Sequence, residues 1–137
     1  MKKKPTKTKK TGLQIRRFFT RNQPDAYQHF RYTLRTSAIK NPNGESVFEM
    51  NNVEVPETWS QIATDILAQK YFRKTGVPQP DGSTGSETSV KQVVHRLVAC
   101  WQDWGNRHGY FATEEDNKAF YDEVVYMLLG QYAAPNS

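Results

Sequence analysis

The alternation of apolar and polar positions is clearest between residues 27 and 40. Phe30, Tyr32 and Leu34 alternate there with His29, Arg31, Thr33 and Arg35, the period-two pattern of a strand with one buried face. A second run follows, with Val47 and Phe48 and then Val53 and Val55, ended by Pro56. Between the runs lies Asn41-Pro42-Asn43-Gly44-Glu45. Asn-Gly tolerates positive φ at both central positions of a type I′ turn, and Pro42 blocks continuation of the strand. The pattern predicts a β-hairpin. Upstream, Leu13, Ile15, Phe18 and Phe19 form a short apolar stretch, either a strand or a docking segment whose partner the pattern does not name.

Three amphipathic helices follow. Thr58-Trp59-Ser60-Gln61 has capping-box spacing, with the Thr58 hydroxyl and the Gln61 side chain as partners for the first free N–H groups. Behind it Trp59, Ile62, Ala63, Ile66, Leu67 and Tyr71 keep a 3.6-residue period on one apolar face, with Gln61, Asp65 and Gln69 lying away from it. Residues 75–86 hold three Gly and two Pro and predict a flexible loop. The second helix begins near residues 86–89 and carries Val90, Val93, Val94, Leu97, Val98, Trp101 and Trp104 on one face, with Gly105 placed as a left-handed terminator. The third opens at Thr113, where Glu114, Glu115 and Asp116 suit the helix dipole. Phe120, Val124, Met127 and Leu128 form its stripe, and Gly130 and Pro135 close it. The fold class predicted is α+β: a hairpin plus three amphipathic helices.

Charge changes this picture at one end only. The chain has 137 residues, a net charge of +5 and a mean hydropathy of -0.81. Nine of the 19 basic residues fall within the first 21 positions, which hold no acid. The other 116 residues carry ten basic and 14 acidic groups, a net charge of -4. The expected organisation is a Lys-rich disordered tail over residues 1–11 and one mildly acidic domain over residues 12–137. Such a tail can neutralise phosphates, but it has no aromatics between its lysines for base stacking, and a solvated terminus accounts for it. No apolar run reaches the roughly 20 residues of a membrane helix, and no apolar segment of a secretory signal follows the basic N-terminus. A single cysteine, Cys100, leaves no internal disulfide and points to a cytoplasmic setting.

Candidate chemistry is sparse. His29, His95 and His108 lie on different elements with no metal-ligand spacing, and the chain has neither CxxC nor a phosphate-loop motif. Cys100 flanks the second helix's apolar stripe and is expected as a packed small side chain. Gly82-Ser83-Thr84-Gly85 is explained by the loop, Glu114-Glu115-Asp116 by the helix start, and Trp101 and Trp104 by the core. No catalytic or metal residue is assigned.

Several stretches carry a resemblance. Gly44-Glu45-Ser46-Val47-Phe48-Glu49 with Asn52-Val53-Glu54-Val55-Pro56, then Trp59-Ser60-Gln61, Lys70-Tyr71-Phe72-Arg73 and Trp104-Gly105, stand in order. Gly109-Tyr110-Phe111-Ala112-Thr113-Glu114-Glu115-Asp116 follows, and Ala133-Ala134-Pro135-Asn136-Ser137 ends the series. Together they resemble the N-terminal region of adenosylcobalamin (vitamin B12)-dependent, class II ribonucleotide reductases over roughly residues 12–137.

The resemblance implies a domain that packs on a ten-stranded α/β reductase barrel absent from this chain. It implies membership of a ribonucleoside-diphosphate reductase that makes deoxyribonucleotides for DNA synthesis by radical reduction of the ribose 2′-OH. The family's catalytic cysteines are expected beyond residue 137, and Cys100 matches none of them. Adenosylcobalamin is expected to be bound by the full enzyme and not by this chain. Asn136 and Ser137 are the substrate-binding candidates, because the family's Asn-Ser-Pro segment enters the barrel and approaches the substrate phosphate. The expected partners are the ribonucleotide substrate and the catalytic barrel, as domain or subunit. The rival reading is a non-catalytic interaction module whose basic tail contacts nucleic acid.

Overall fold

The computed structural model describes residues 11–135. A 3-10 turn, Ala26–His29, leads into strand β1, Tyr32–Lys40, which pairs antiparallel with β2, Ser46–Pro56. Helix α1, Gln61–Ile66, runs on into a wider π-helical turn, Leu67–Tyr71. A small ladder of β3, Val77–Pro78, and β4, Thr84–Gly85, precedes helices α2, Val90–Arg107, and α3, Glu114–Leu129. The α+β architecture of a hairpin and three helices is the one the pattern predicts. Its core joins Val53 and Val55 of β2, Leu67, Ala68 and Phe72 behind α1, Val90, Val93, Val94 and Val98 of α2, and Val125 and Leu129 of α3.

The hairpin turn is not type I′. The Gly44 N–H donates to the Asn41 carbonyl at 2.9 Å, so Pro42 and Asn43 are the central residues, and only Gly44 takes positive φ, at 86°. Pro42 fixes its φ near −65°, which a type I′ turn cannot use at its first central position.

Phe30 and Tyr32 pack against the core as the alternation suggested, but from Leu34 onward the inward face of β1 is the reverse of the expected one. Directly paired residues share a face, and Thr33, Arg35, Ser37 and Ile39 stand opposite Val55, Val53, Met50 and Phe48. Leu34 is 60% exposed on the other side. The inward residues of β1 are used for polar attachment to α1. Arg35 donates to the carbonyls of Trp59 and, at 2.9 Å, Glu57, and to the Thr64 hydroxyl at 3.1 Å. The buried Ser37 donates to Asp65 at 2.7 Å. Tyr32 packs against the core and is capped by Lys91, whose ammonium lies 4.0 Å from its ring centre.

A bulge lets both halves of β2 face inward. Arg35 pairs with Val53 but Ser37 with Met50, so Thr36 alone opposes Asn51 and Asn52, and Asn52 has φ 57°. The extra residue changes parity, which brings the even-numbered Phe48 and Met50 to the same side as Val53 and Val55.

The helix ends correct three details. Ser60, not Thr58, caps α1, accepting the Ala63 N–H at 3.0 Å, because Trp59 N–H turns back to the Pro56 carbonyl. Leu67 of its expected stripe is buried, but Ile62 and Ile66 are 72% and 45% exposed; Ala68 and Phe72 face inward with Leu67, the Phe72 N–H closing the π turn on the Leu67 carbonyl. Ser89 and Gln92 form a capping box at the start of α2, where the sequence placed it. Gly105 does not end that helix; it is buried within it against the Phe111 ring, and Gly109 takes the left-handed conformation.

Residues 75–86 form the β3–β4 ladder, with the Gln79 amide donating to the carbonyls of Val77 and Ser86 at 3.0 and 3.1 Å. Next to it the buried Glu87 receives Arg96 at 3.0 Å and the Arg73 N–H at 2.7 Å. An ion pair so enclosed is held in place by these added hydrogen bonds.

Candidate functional site

The apolar stretch with no named partner is a docking segment, and its partner is α3. Leu13 donates its N–H to the Tyr110 carbonyl at 2.7 Å and accepts the Ala112 N–H at 2.9 Å, a parallel bridge at the turn before α3. Ile15 N–H then donates to Asp116 at 2.8 Å, and Arg17 pairs with Asp122 at 2.8 Å. At the far end the Glu123 carboxylate accepts three consecutive N–H groups, of Phe18, Phe19 and Thr20, at 3.0, 3.1 and 2.9 Å, plus the Thr20 hydroxyl at 2.6 Å. Asp116 and Glu123 are seven residues apart, two helical turns, so they stand on one face of α3 as a polar track for an extended chain.

The electrostatics of this track follow from its hydrogen bonds. Burial pushes the Glu123 carboxyl up, but its bonds to Thr20, Phe19 and Phe18 outweigh burial and hold it below its ordinary value. Asp122 goes the other way: burial raises it more than Arg17 lowers it. The sequence reading explained Asp116 by the dipole alone and missed Asp122 and Glu123. The signal available was the spacing of these acids along a predicted helix.

A polar recess opens beside the track, lined by Arg17, His95, Gln102, Lys118, Tyr121 and Asp122 among others. His95 Nδ1 meets the Tyr121 hydroxyl at 2.7 Å, and Tyr121 meets the Tyr27 hydroxyl at 2.8 Å. Burial, with the neighbouring hydroxyl, pushes Tyr27 far above the usual phenol value, and burial also raises Tyr121. Both phenols stay protonated at neutral pH. They serve as hydrogen-bond links and supply no base.

The second recess is apolar. Ala63, Ile66 and Tyr71, Val94 and Leu97 of α2, and Ala133 to Pro135 are among the residues lining about 260 Å³. The Trp59 indole on its border is already committed, donating to the Leu129 carbonyl at 2.7 Å.

The remaining sequence candidates are not brought together. His29 contacts the Gln23 carbonyl, and His108 stacks on Tyr110. Among the described residues no group of three His, Cys, Asp or Glu is placed to hold a metal ion. Cys100 is exposed, which corrects its expected packed position. Trp101 is half-buried against the core, while Trp104, expected beside it, is 52% exposed. Ser83 is bound by Asp81 within the β3–β4 turn. Asn136 and Ser137, and residues 1–10 of the lysine tail, lie outside the described residues. No described helix is long and apolar enough to cross a membrane.

Comparison with known proteins agrees with the ordered motifs. The family model described as class II vitamin B12-dependent ribonucleotide reductase matches residues 33–131. A vitamin B12-dependent ribonucleotide reductase of Bradyrhizobium diazoefficiens is 42% identical over 91% of this chain and 12% of its own length. One from Agrobacterium fabrum is 40% identical over the same shares. One from Rhodopirellula baltica is 40% identical over 77% of this chain and 10% of its own. The chain therefore spans about an eighth of the length of these relatives.

Proposed function

Since the chain belongs to the class II vitamin B12-dependent ribonucleotide reductase family, we propose that it works as the N-terminal part of an adenosylcobalamin-dependent ribonucleoside-diphosphate reductase. That enzyme makes deoxyribonucleotides for DNA synthesis by replacing the ribose 2′-OH with hydrogen. One observation carries the reading: 91% of this chain aligns with 12% of a reductase named as vitamin B12-dependent. The unit contributes structure, and a catalytic barrel, as domain or subunit in the cytoplasm, contributes the radical chemistry. Asn136 and Ser137 reach the substrate phosphate within that assembly.

The described residues do not fit the cobalamin itself. The apolar groove, at about 260 Å³, falls below the roughly 300–1,000 Å³ of pockets for drug-sized ligands, and a corrin is larger still. In the polar recess the His95 Nδ1 is engaged by Tyr121. We assign the cofactor to the rest of the reductase.

Complementation tests the reading. The Bradyrhizobium reductase is produced without its matched stretch, and this chain is supplied separately. The expected result is association and recovery of adenosylcobalamin-dependent deoxynucleotide formation. Failure of both would remove the basis for a role in reduction.

A further inference from the structure

We propose that the apolar groove between α1, α2 and the end of α3 is the seat for an apolar segment of the catalytic remainder of the reductase. This rests on the reading of the chain as part of such an enzyme. The groove's chemistry selects the occupant. Its lining is almost wholly aliphatic or aromatic, with Gln131 the one amide and no charged side chain. The Trp59 N–H on its border is already donated to Leu129, and among the described residues no buried side-chain polar atom lacks a partner. Beyond the Gln131 amide and the Tyr71 hydroxyl, a charged or hydrogen-bonding ligand finds no partner among these side chains. Apolar side chains do, because they displace water without stranding a polar group.

Two further observations point to the rest of the same enzyme. The apolar surface does not stop at the groove: Ile66 on its wall is 45% exposed, and Ile62, one turn earlier on α1, is 72% exposed. Contiguous apolar exposure of this kind marks an interaction surface. Ala133, Ala134 and Pro135 also line the groove. In the relatives the matched stretch is only 12% of the chain, and a tethered segment would meet the groove at an effective concentration of the order of millimolar. The sequence reading had placed Ile62 and Ile66 in this unit's own core. Their exposure is what a second body would cover.

The test measures binding of the full chain to the Bradyrhizobium reductase lacking its matched stretch, by calorimetry, for the wild type and three variants. Ile66→Asp puts a charge on the groove wall, and Ile62→Asp charges its extension at a position too exposed to disturb folding. Leu34→Asp charges an apolar residue on the outer face of the hairpin whose exposure, 60%, lies between those of the two isoleucines. At least tenfold weaker binding for Ile66→Asp, several-fold for Ile62→Asp and none for Leu34→Asp is expected. Wild-type affinity in both isoleucine variants, with melting curves showing them folded, would overturn the groove assignment and leave the reductase reading standing. No binding by the wild-type chain would overturn both. A dimer of the isolated chain that Ile66→Asp dissociates, with binding to the reductase remainder unaffected, would assign the groove to a second copy.

Discussion

The Thr20 hydroxyl lies 2.6 Å from the Glu123 carboxylate, across 103 residues of chain, and the same carboxylate accepts the backbone N–H groups of Phe18, Phe19 and Thr20. One acid thus fixes the end of the docking segment on α3. Glu123→Gln keeps the shape but replaces one accepting oxygen with an amide that donates toward N–H groups. Stranding buried donors costs about 1–3 kcal/mol, and the lost bonds are to a charged acceptor. A loss of about 2–3 kcal/mol in urea denaturation is expected, with faster amide exchange at residues 18–20. Unchanged exchange there would show that Leu13 and Arg17 hold the segment unaided.

The same contact sets an acid limb. Glu123 in the folded chain lies below its ordinary 4.5, so the unfolded chain takes up its proton first as pH falls. The stability it contributes is complete above about 4.5 and is lost as pH drops through the folded value. Asp122, raised by burial, acts in the opposite sense: its folded form binds a proton more readily, which favours the folded state on acidification. Subtracting the two profiles separates them. Wild-type stability minus that of Glu123→Gln shrinks below about pH 4.5, and a difference constant with pH would mean the carboxylate is not the group responsible.

Gly105 and Phe111 make a second contact whose sign can be predicted. An alanine at an ordinary helix interior is better than glycine by about 1 kcal/mol. Here the new Cβ would meet the Phe111 ring, which also packs on Phe120 with ring centres 5.2 Å apart. Overpacking of this kind costs about 1–3 kcal/mol, so it outweighs the propensity gain. Gly105→Ala is expected to lower the melting temperature. In a Phe111→Ala background the same change is expected to raise it, and the same sign in both backgrounds would rule out the ring as the cause.

These contacts also mark how far the sequence could be read. The starts of α2 and α3 and the valine stripe of α2 are local patterns, and they were legible because the residues that make them are three or four positions apart. The orientation of β1 was not. Period two says that Leu34 and Arg35 face opposite ways, but which face is buried depends on the segment before α1 offering the Glu57 and Trp59 carbonyls to Arg35. The exposure of Ile62 and Ile66 was likewise invisible, since a helix face is apolar whether it meets its own core or another body. Of the candidate site, the apolar residues from Leu13 to Phe19 were visible, but Glu123 was not, because nothing near residue 20 names a partner 103 positions away.

The bulge in β2 gives the sharpest test of how parity is set. Phe48 and Met50 are even-numbered and Val53 and Val55 odd, yet all four pack toward the core, because Asn51 and Asn52 together oppose Thr36. Asn52 takes φ 57°, a conformation that costs most residues roughly 1–2 kcal/mol and asparagine less. Asn52→Gly removes that strain but adds unfolded-state entropy, so little net change is expected. Asn52→Val restores the full penalty, about 1–2 kcal/mol. Deleting Asn52 does more, since either Phe48 and Met50 or Val53 and Val55 must then face solvent, and burying one such side chain is worth about 1.5–3 kcal/mol. The expected order of urea midpoints is glycine close to wild type, then valine, then the deletion. A deletion no worse than valine would mean that the strand slips at the turn instead, with Gly44 absorbing the missing residue.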